Sequence, residues 1–335
     1  MYIHWTHYYL PKVFGVLSFI LNPFFIWLIL NENITALGSY RYLLVTFASF
    51  DIIYTLVELA VPMSIFGTGA AFAVFVSGGP FYGTGKLGQF ALSVRCGFIS
   101  LSYGILVIHF VYRYSVFTQI SHQKLGFWAL LGLFIFLISH GIVWSSVCEL
   151  LLYGDQKVAD YIYKQFMKDY HVDSHGLFFL MGLFYDGSSE IVRRSWGGIL
   201  ILTGVSFYAA PLYFILAWKI VRKLANDNPG VSVITQKLNR HLFKALVVQT
   251  LIPICICFFP CMVAWYGPAF GVNFGNWSRY LGAVAFSAFP DLDPLAIILL
   301  LPYYRNKLFG IAKKPITFLH SGTSTVRPNV VRQPI

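Results

Sequence analysis

Two arginines and four carboxylates interrupt stretches of this sequence that are otherwise apolar. Arg95, Ile99, Ser102, Leu106, His109 and Arg113 follow one another at intervals of 4, 3, 4, 3 and 4, which lays them along one stripe of an α-helix. The 18 residues from Arg95 to Arg113 correspond to about 27 Å of helix axis. One arginine therefore belongs near one end of the helix and the other near the opposite end, on the same face. A face carrying two arginines is costly against lipid, so it is expected to point into a bundle. Taken alone, Arg113 also reads as an interfacial cation that snorkels to the headgroups.

A cation inside an apolar helix needs a counter-charge. Glu58 lies 16 residues beyond Tyr42 on the preceding apolar stretch, about 24 Å along its axis and thus near the height of Arg95. A Glu58–Arg95 pair is expected there, structural or lining a pocket. Asp51 shares the Glu58 face at i, i+7, and Asp291 and Asp293 sit in the last apolar stretch. Carboxylates in such places serve as ion, proton or hydrogen-bond sites, and all three roles stay open.

Other chemistry is not signalled. No His-Glu-x-x-His, Gly-x-Ser-x-Gly or phosphate-cradling loop occurs, so an enzyme is not expected. The five cysteines show neither metal-ligand spacing nor a disulfide framework. The alternation Asp169, His171, Asp173, His175 invites a metal reading, but in a segment without a packed frame it reads better as a solvated turn or strand. No metal or cofactor is expected. The last apolar stretch holds no lysine, which excludes a retinal Schiff base there.

The elements that hold these residues must be membrane helices. The chain is 57% hydrophobic and 11% charged, with mean hydropathy +0.68, a balance foreign to a soluble domain of this length. The net charge of +11 does not point to nucleic acid, because the cations cluster beside apolar stretches. Runs of about 20 apolar residues predict seven spans near 11–30, 42–65, 88–112, 126–148, 198–218, 244–266 and 279–302. The first span is expected to act as its own insertion signal. The apolar segment Ile65 to Val76 is too short to cross and is read as an extracellular loop lying on the membrane. Residues 149–197 are read as the one long extracellular loop, too small for a domain of its own.

Orientation follows from the cations. With the amino end outside, 15 of the 24 lysines and arginines fall on the cytoplasmic side, and the carboxyl end is cytoplasmic. Asn33-Ile-Thr35 then faces the cytosol and escapes glycosylation, while Asn276-Trp-Ser278 faces outside, close to the membrane. Residues 303–335 form the tail: Tyr303 to Phe309 is expected as a short amphipathic helix on the inner leaflet. Disorder is expected beyond Lys314.

The sixth span stands apart. It starts on Lys237, Arg240 and Lys244 and carries Pro253 and Pro260 within its apolar run. Proline removes a backbone donor and clashes one turn back, which membrane helices tolerate by kinking. A basic-footed helix with two kink points is suited to swing.

Three segments carry a specific resemblance: His109-Phe-Val-Tyr-Arg-Tyr114, Gln236 to Pro253 with its Leu-Phe-Lys-Ala-Leu-Val-Val-Gln-Thr-Leu-Ile-Pro core, and Pro290-Asp-Leu-Asp-Pro-Leu295. With Glu58, Pro62 and Lys86-Leu-Gly88 they resemble the nematode serpentine chemoreceptors of the Str type, including the Srj class and the diacetyl odorant receptor of that group. The resemblance covers nearly the whole chain and is weakest in 149–197 and the tail. It implies a G-protein-coupled receptor in the ciliary membrane of a sensory neuron that binds small, often volatile, molecules.

Against the wider rhodopsin-like pattern, Tyr112 stands where an acidic residue would precede Arg113. Asp293-Pro294 replaces Asn-Pro, and Ile297 replaces that motif's tyrosine. The loop 149–197 has no cysteine to tie to the third span. Any lock on Arg113 must be built differently.

The expected architecture is an all-α, seven-transmembrane bundle in the plasma membrane. Glu58, Arg95, Ser102, Trp265 and Tyr266 are candidates for a ligand pocket in its outer half, although Trp265 and Tyr266 fit an interfacial aromatic belt equally well. Arg113, Tyr112, Lys237, Arg240, Lys244, Pro253, Asp293 and Pro294 are candidates for the switch that meets a heterotrimeric G protein. A transporter or ligand-gated channel using Asp51, Glu58, Asp291 and Asp293 is the alternative, but the halves show no matched broken helices of the kind such folds carry.

Overall fold

The computed structural model describes residues 3–31, 40–117, 127–225, 233–272 and 276–308. The helices are α1 (Trp5–Asn31), α2 (Tyr40–Ala60), α3 (Lys86–Phe117), α4 (Phe127–Leu151), α5 (Gln156–Tyr170), α6 (Ser189–Phe207), α7 (Ala209–Ala225), α8 (Val233–Pro253), α9 (Phe259–Ala269), α10 (Asn276–Leu300) and α11 (Pro302–Leu308). The helix α6 runs on into α7 with a break at Tyr208, and α8 runs on into α9 through one turn of π-helix. The result is seven long crossings. Six of them are apolar enough to span a bilayer; the seventh, α10, has 25 residues, about 37 Å of helix, and carries Arg279, Asp291 and Asp293.

The distribution of side chains is that of a protein solvated by lipid. Phe134 and Phe214 are 61% and 73% exposed, whereas Ser18, Asn22, Asp51 and Gln249 are completely buried. Outside, apolar groups face hydrocarbon; inside, polar groups find each other.

Prolines mark where the helices depart from regularity. Pro253 and Pro260 flank the π-turn Ile254–Phe258, the kind of local adjustment that absorbs two missing backbone donors. In α10, Pro294 cannot donate to the carbonyl of Pro290, one turn earlier. The Asn22 amide from α1 donates to that carbonyl instead, at 3.0 Å. A side chain on one helix thus repairs the backbone of another.

At one end of the bundle the structure departs from the expected loop. The helix α2 stops at Ala60, and Ile65 to Val76 is not a loop on the membrane. Met63–Thr68 (β1) and Ala71–Val76 (β2) form a hairpin, and Phe179–Leu183 (β3) joins it in a three-stranded antiparallel sheet of order β1-β2-β3. Gly69 takes φ 52° at the first of the two turn positions, a conformation glycine adopts without strain. Both faces of the sheet are covered. Ile65, Phe72, Val74 and Val76 pack with the bundle, while Phe66, Phe75 and Phe179 pack with Phe166 of α5. A strand buried on both sides loses the apolar–polar alternation that would identify it.

The segment 149–197, read as one long loop, accordingly contains the end of α4, the start of α6 and, between them, a folded lid. Asp155 caps α5 through the Lys157 amide at 2.9 Å, and His171 closes it in the left-handed conformation at φ 55°. Beyond it, Asp173 caps a short 3-10 turn. His175 is sandwiched between Asp160 and Asp173 at 2.6 Å from each. The Asp/His alternation thus resolves into capping and ion pairs, with Asp169 bonded instead to Gln165. At the other end of the bundle, α11 follows α10 where a short helix is expected. Glu32, Asn33 to Thr35, Lys124, Asp227 and the tail from Phe309 onward lie outside the described residues.

Candidate functional site

The stripe on α3 faces inward along its whole length: Arg95, Ser102, His109 and Arg113 are 1%, 1%, 0% and 3% exposed. Its two arginines meet different surroundings.

At the sheet end, Arg95 Nη2 lies 3.5 Å from Glu58 Oε2, so the pair expected from helix height is present. Glu58 also accepts from Ser287 of α10. The guanidinium lies 4.5 Å over the Tyr54 ring, yet among the described residues its Nε and Nη1 have no hydrogen-bond partner. A distance of 3.5 Å gives charge pairing but is long for a hydrogen bond. Buried donors left unpaired cost about 1–3 kcal/mol each. Beside the pair is a cavity of about 110 Å³, lined by Tyr8, Pro11 and Lys12 of α1, Glu58 and Leu59 of α2, Pro62 and Met63, Ser77 to Gly79, Arg95, and Phe286 and Ser287 of α10. Gly79, at φ 76°, closes one wall; a Cβ there would come within 2.8 Å of the Ala60 carbonyl oxygen.

A second, smaller space of about 40 Å³ lies deeper under the sheet. Cys96, Cys148 and Cys261 line it with Trp144, Trp265 and Ile99, and Met63 and Phe286 border both spaces. Trp144 and Trp265 are 5.9 Å apart. Trp265 therefore belongs to the pocket region and not to an exposed aromatic belt. The remaining two pocket candidates line neither space. Ser102 donates to the Ile99 carbonyl on its own helix at 2.7 Å. Tyr266 bonds Thr203 at 2.9 Å and so ties α9 to α6.

At the tail end, Arg113 Cζ lies 3.5 Å over the ring of Tyr40, the first residue of α2. Tyr40 meets His109 Nδ1 at 3.5 Å and stacks on Tyr112 at 5.8 Å. Among the described residues Arg113 makes no salt bridge, and its Nε and Nη2 have no hydrogen-bond partner. Between the two ends, Asp51, Asp291 and Asp293 are all buried, and Gln249 of α8 donates to Asp293 at 2.9 Å. Pro253 and Pro294 are buried, while Lys237, Arg240 and Lys244 project from the start of α8.

Residues 1–308 match the family described as serpentine type 7TM GPCR chemoreceptor Srj. The chain belongs to the Srj family. It is 32% identical to serpentine receptor class J-38 of Caenorhabditis elegans over 96% of this chain and 98% of that protein. Serpentine receptor class r-10 of the same organism is 26% identical over 89% of this chain and 88% of its own. Among solved structures, squid rhodopsin superposes with a TM-score of 0.57 at 14% identity, covering 90% of this chain and 84% of that one. That likeness concerns the fold alone. This Srj-family chain is thus a multi-pass membrane receptor of GPCR type; its family is one of receptors and not of enzymes.

Within this Srj-family bundle, several site residues escaped the sequence reading. Lys12, Ser287 and Phe286 line the larger cavity, Tyr40 holds Arg113, and Asn22 and Gln249 join helices. Asn22 had a signal, a lone amide in an apolar span. Tyr40 had none: its position over Arg113 follows from how α2 and α3 cross.

Proposed function

We propose that this receptor is chemosensory: it binds a small, odorant-type molecule in the half of the bundle beneath the sheet and signals through a heterotrimeric G protein. In this reading the amino terminus and the sheet are extracellular, and the basic foot of α8 and the carboxyl tail are cytoplasmic. The receptor works in the ciliary membrane of a sensory neuron. The observation that carries the reading is that one helix, α3, borders a cavity at Arg95 and carries Arg113 near its other end, beside the helix pair that the π-turn makes bendable. A ligand that favours one packing of α3, α9 and α10 shifts the population in which Arg113, Lys237, Arg240 and Lys244 meet the G protein.

Glu58, Arg95 and Trp265 are the ligand-facing members; Tyr266 acts by tying α9 to α6, and Ser102 lies on the inward stripe of α3 between the two arginines. Tyr112, Pro253, Asp293 and Pro294 belong to the switch. The test is an odorant screen of the receptor expressed in cells with a G-protein readout, repeated with Arg113→Ala. A responsive wild type and a silent, normally trafficked variant are expected. A response that persists in Arg113→Ala, or that appears only as an ionic current in cells lacking G proteins, overturns the reading.

A further inference from the structure

The larger cavity has a charge balance that points to a class of ligand. Its lining holds two cations, Lys12 and Arg95, against one carboxylate, Glu58. That carboxylate is already engaged by Ser287 and Arg95. Arg95 is 1% exposed, and among the described residues its Nε and Nη1 have no hydrogen-bond partner. Lys12 is exposed, and its Nζ rests 3.3 Å from the centre of the Tyr8 ring; an ammonium carries three donors, more than that one neighbour uses. Ser77 and Ser287 add hydroxyls. The remaining walls, Leu59, Pro62, Met63 and Phe286, are apolar.

We infer that the cavity between α1, α2, α3 and α10 takes a small organic anion, a short-chain carboxylate, with its two oxygens on Arg95 and Lys12 and its alkyl end against Met63 and Phe286. A carboxylate supplies acceptors to the Arg95 guanidinium and the Lys12 ammonium, and charge-assisted hydrogen bonds are the strong ones. It also offsets the surplus positive charge. A neutral alcohol of the same skeleton leaves that surplus in place, and an amine adds to it. The volume of about 110 Å³ is of the order that holds one small ring or a short chain. The inference rests on the proposed ligand-gated reading for its purpose, but the binding itself does not require signalling.

The test uses the full-length receptor in lipid nanodiscs, with binding of butanoate and hexanoate measured by ligand-induced thermal shift. The matching alcohols and alkylamines are the controls. The carboxylates are expected to bind at least ~10-fold more tightly than the alcohols, from one charge-assisted contact. Lys12→Gln, at an exposed position, should weaken the carboxylates several-fold and leave the alcohols unchanged. Arg95→Lys, which keeps a counter-charge for Glu58, should abolish the preference. Equal binding of acid and alcohol, tighter binding of the amine, or carboxylate binding indifferent to Lys12→Gln overturns the inference. Neutral odorants that drive the G protein in a receptor blind to carboxylates would sink this inference alone. Carboxylate binding that never reaches a G protein would sink the signalling reading alone.

Discussion

Arg95 and Arg113 are the same residue on the same face of the same helix, both buried, and their neighbours give them opposite characters. Arg95 has a carboxylate at 3.5 Å and a cavity beside it. Arg113 has an aromatic ring at 3.5 Å and, among the described residues, no salt bridge. Removing one partner of a buried ion pair strands a charge in a low dielectric, so such a pair resists opening. A cation over a ring is held by a weaker, less directional attraction and slides off without leaving a charge behind. The sheet end is thus built to hold, and the tail end to let go. Tyr112 in place of an acid, which in the sequence reads as a missing lock, is better understood as part of an aromatic clamp formed with Tyr40.

The contrast is broken most directly at Arg95. Arg95→Ala should cost about 3–5 kcal/mol by leaving Glu58 buried and alone, seen as lost surface expression and a lower unfolding temperature in detergent. The swap Glu58→Arg with Arg95→Glu should recover part of it; no recovery means the pair is not what the fold depends on. Between the ends, Asn22→Leu orphans the Pro290 carbonyl and should cost about 1–3 kcal/mol, again read from thermal unfolding. A cost near zero would mean that α10 relaxes locally at Pro294.

At the tail end, Tyr40→Leu removes the ring over Arg113 and Tyr40→Phe keeps it. If the clamp holds the resting state by about 1–2 kcal/mol, Tyr40→Leu should raise ligand-free G-protein activation roughly 5–30-fold, and Tyr40→Phe should change it little. Equal effects of the two substitutions would assign the restraint to the hydroxyl and its contact with His109.

The smallest effect belongs to the lid. Asp160 first, then Asp173, hold the His175 imidazolium and raise its pKa above the ordinary 6.5; the hydrogen bonds from His175 lower that of Asp173. Because the folded value exceeds the unfolded one, this contribution to the lid is complete below about pH 6.5 and is lost as pH rises through the folded value. Asp160→Asn should move the His175 midpoint downward in an NMR titration. An unmoved midpoint would assign the whole shift to Asp173.

Much of this was legible before any fold was known. The apolar runs identify the spans because lipid demands length and continuity. The 4, 3, 4, 3, 4 spacing from Arg95 to Arg113 assigns an inward face because charge is too costly to leave outside, and the height of Glu58 follows from the fixed rise of a helix. What required the tertiary structure is everything that depends on two elements meeting. Phe-Ala-Val-Phe in β2 has no alternation to read, since α5 covers one face and the bundle the other. Lys12 and Ser287, 275 positions apart, share a cavity only because α1 packs on α10. Helix periodicity is local and survives in the sequence; the crossing of Tyr40 over Arg113 is not, and only packing decides it.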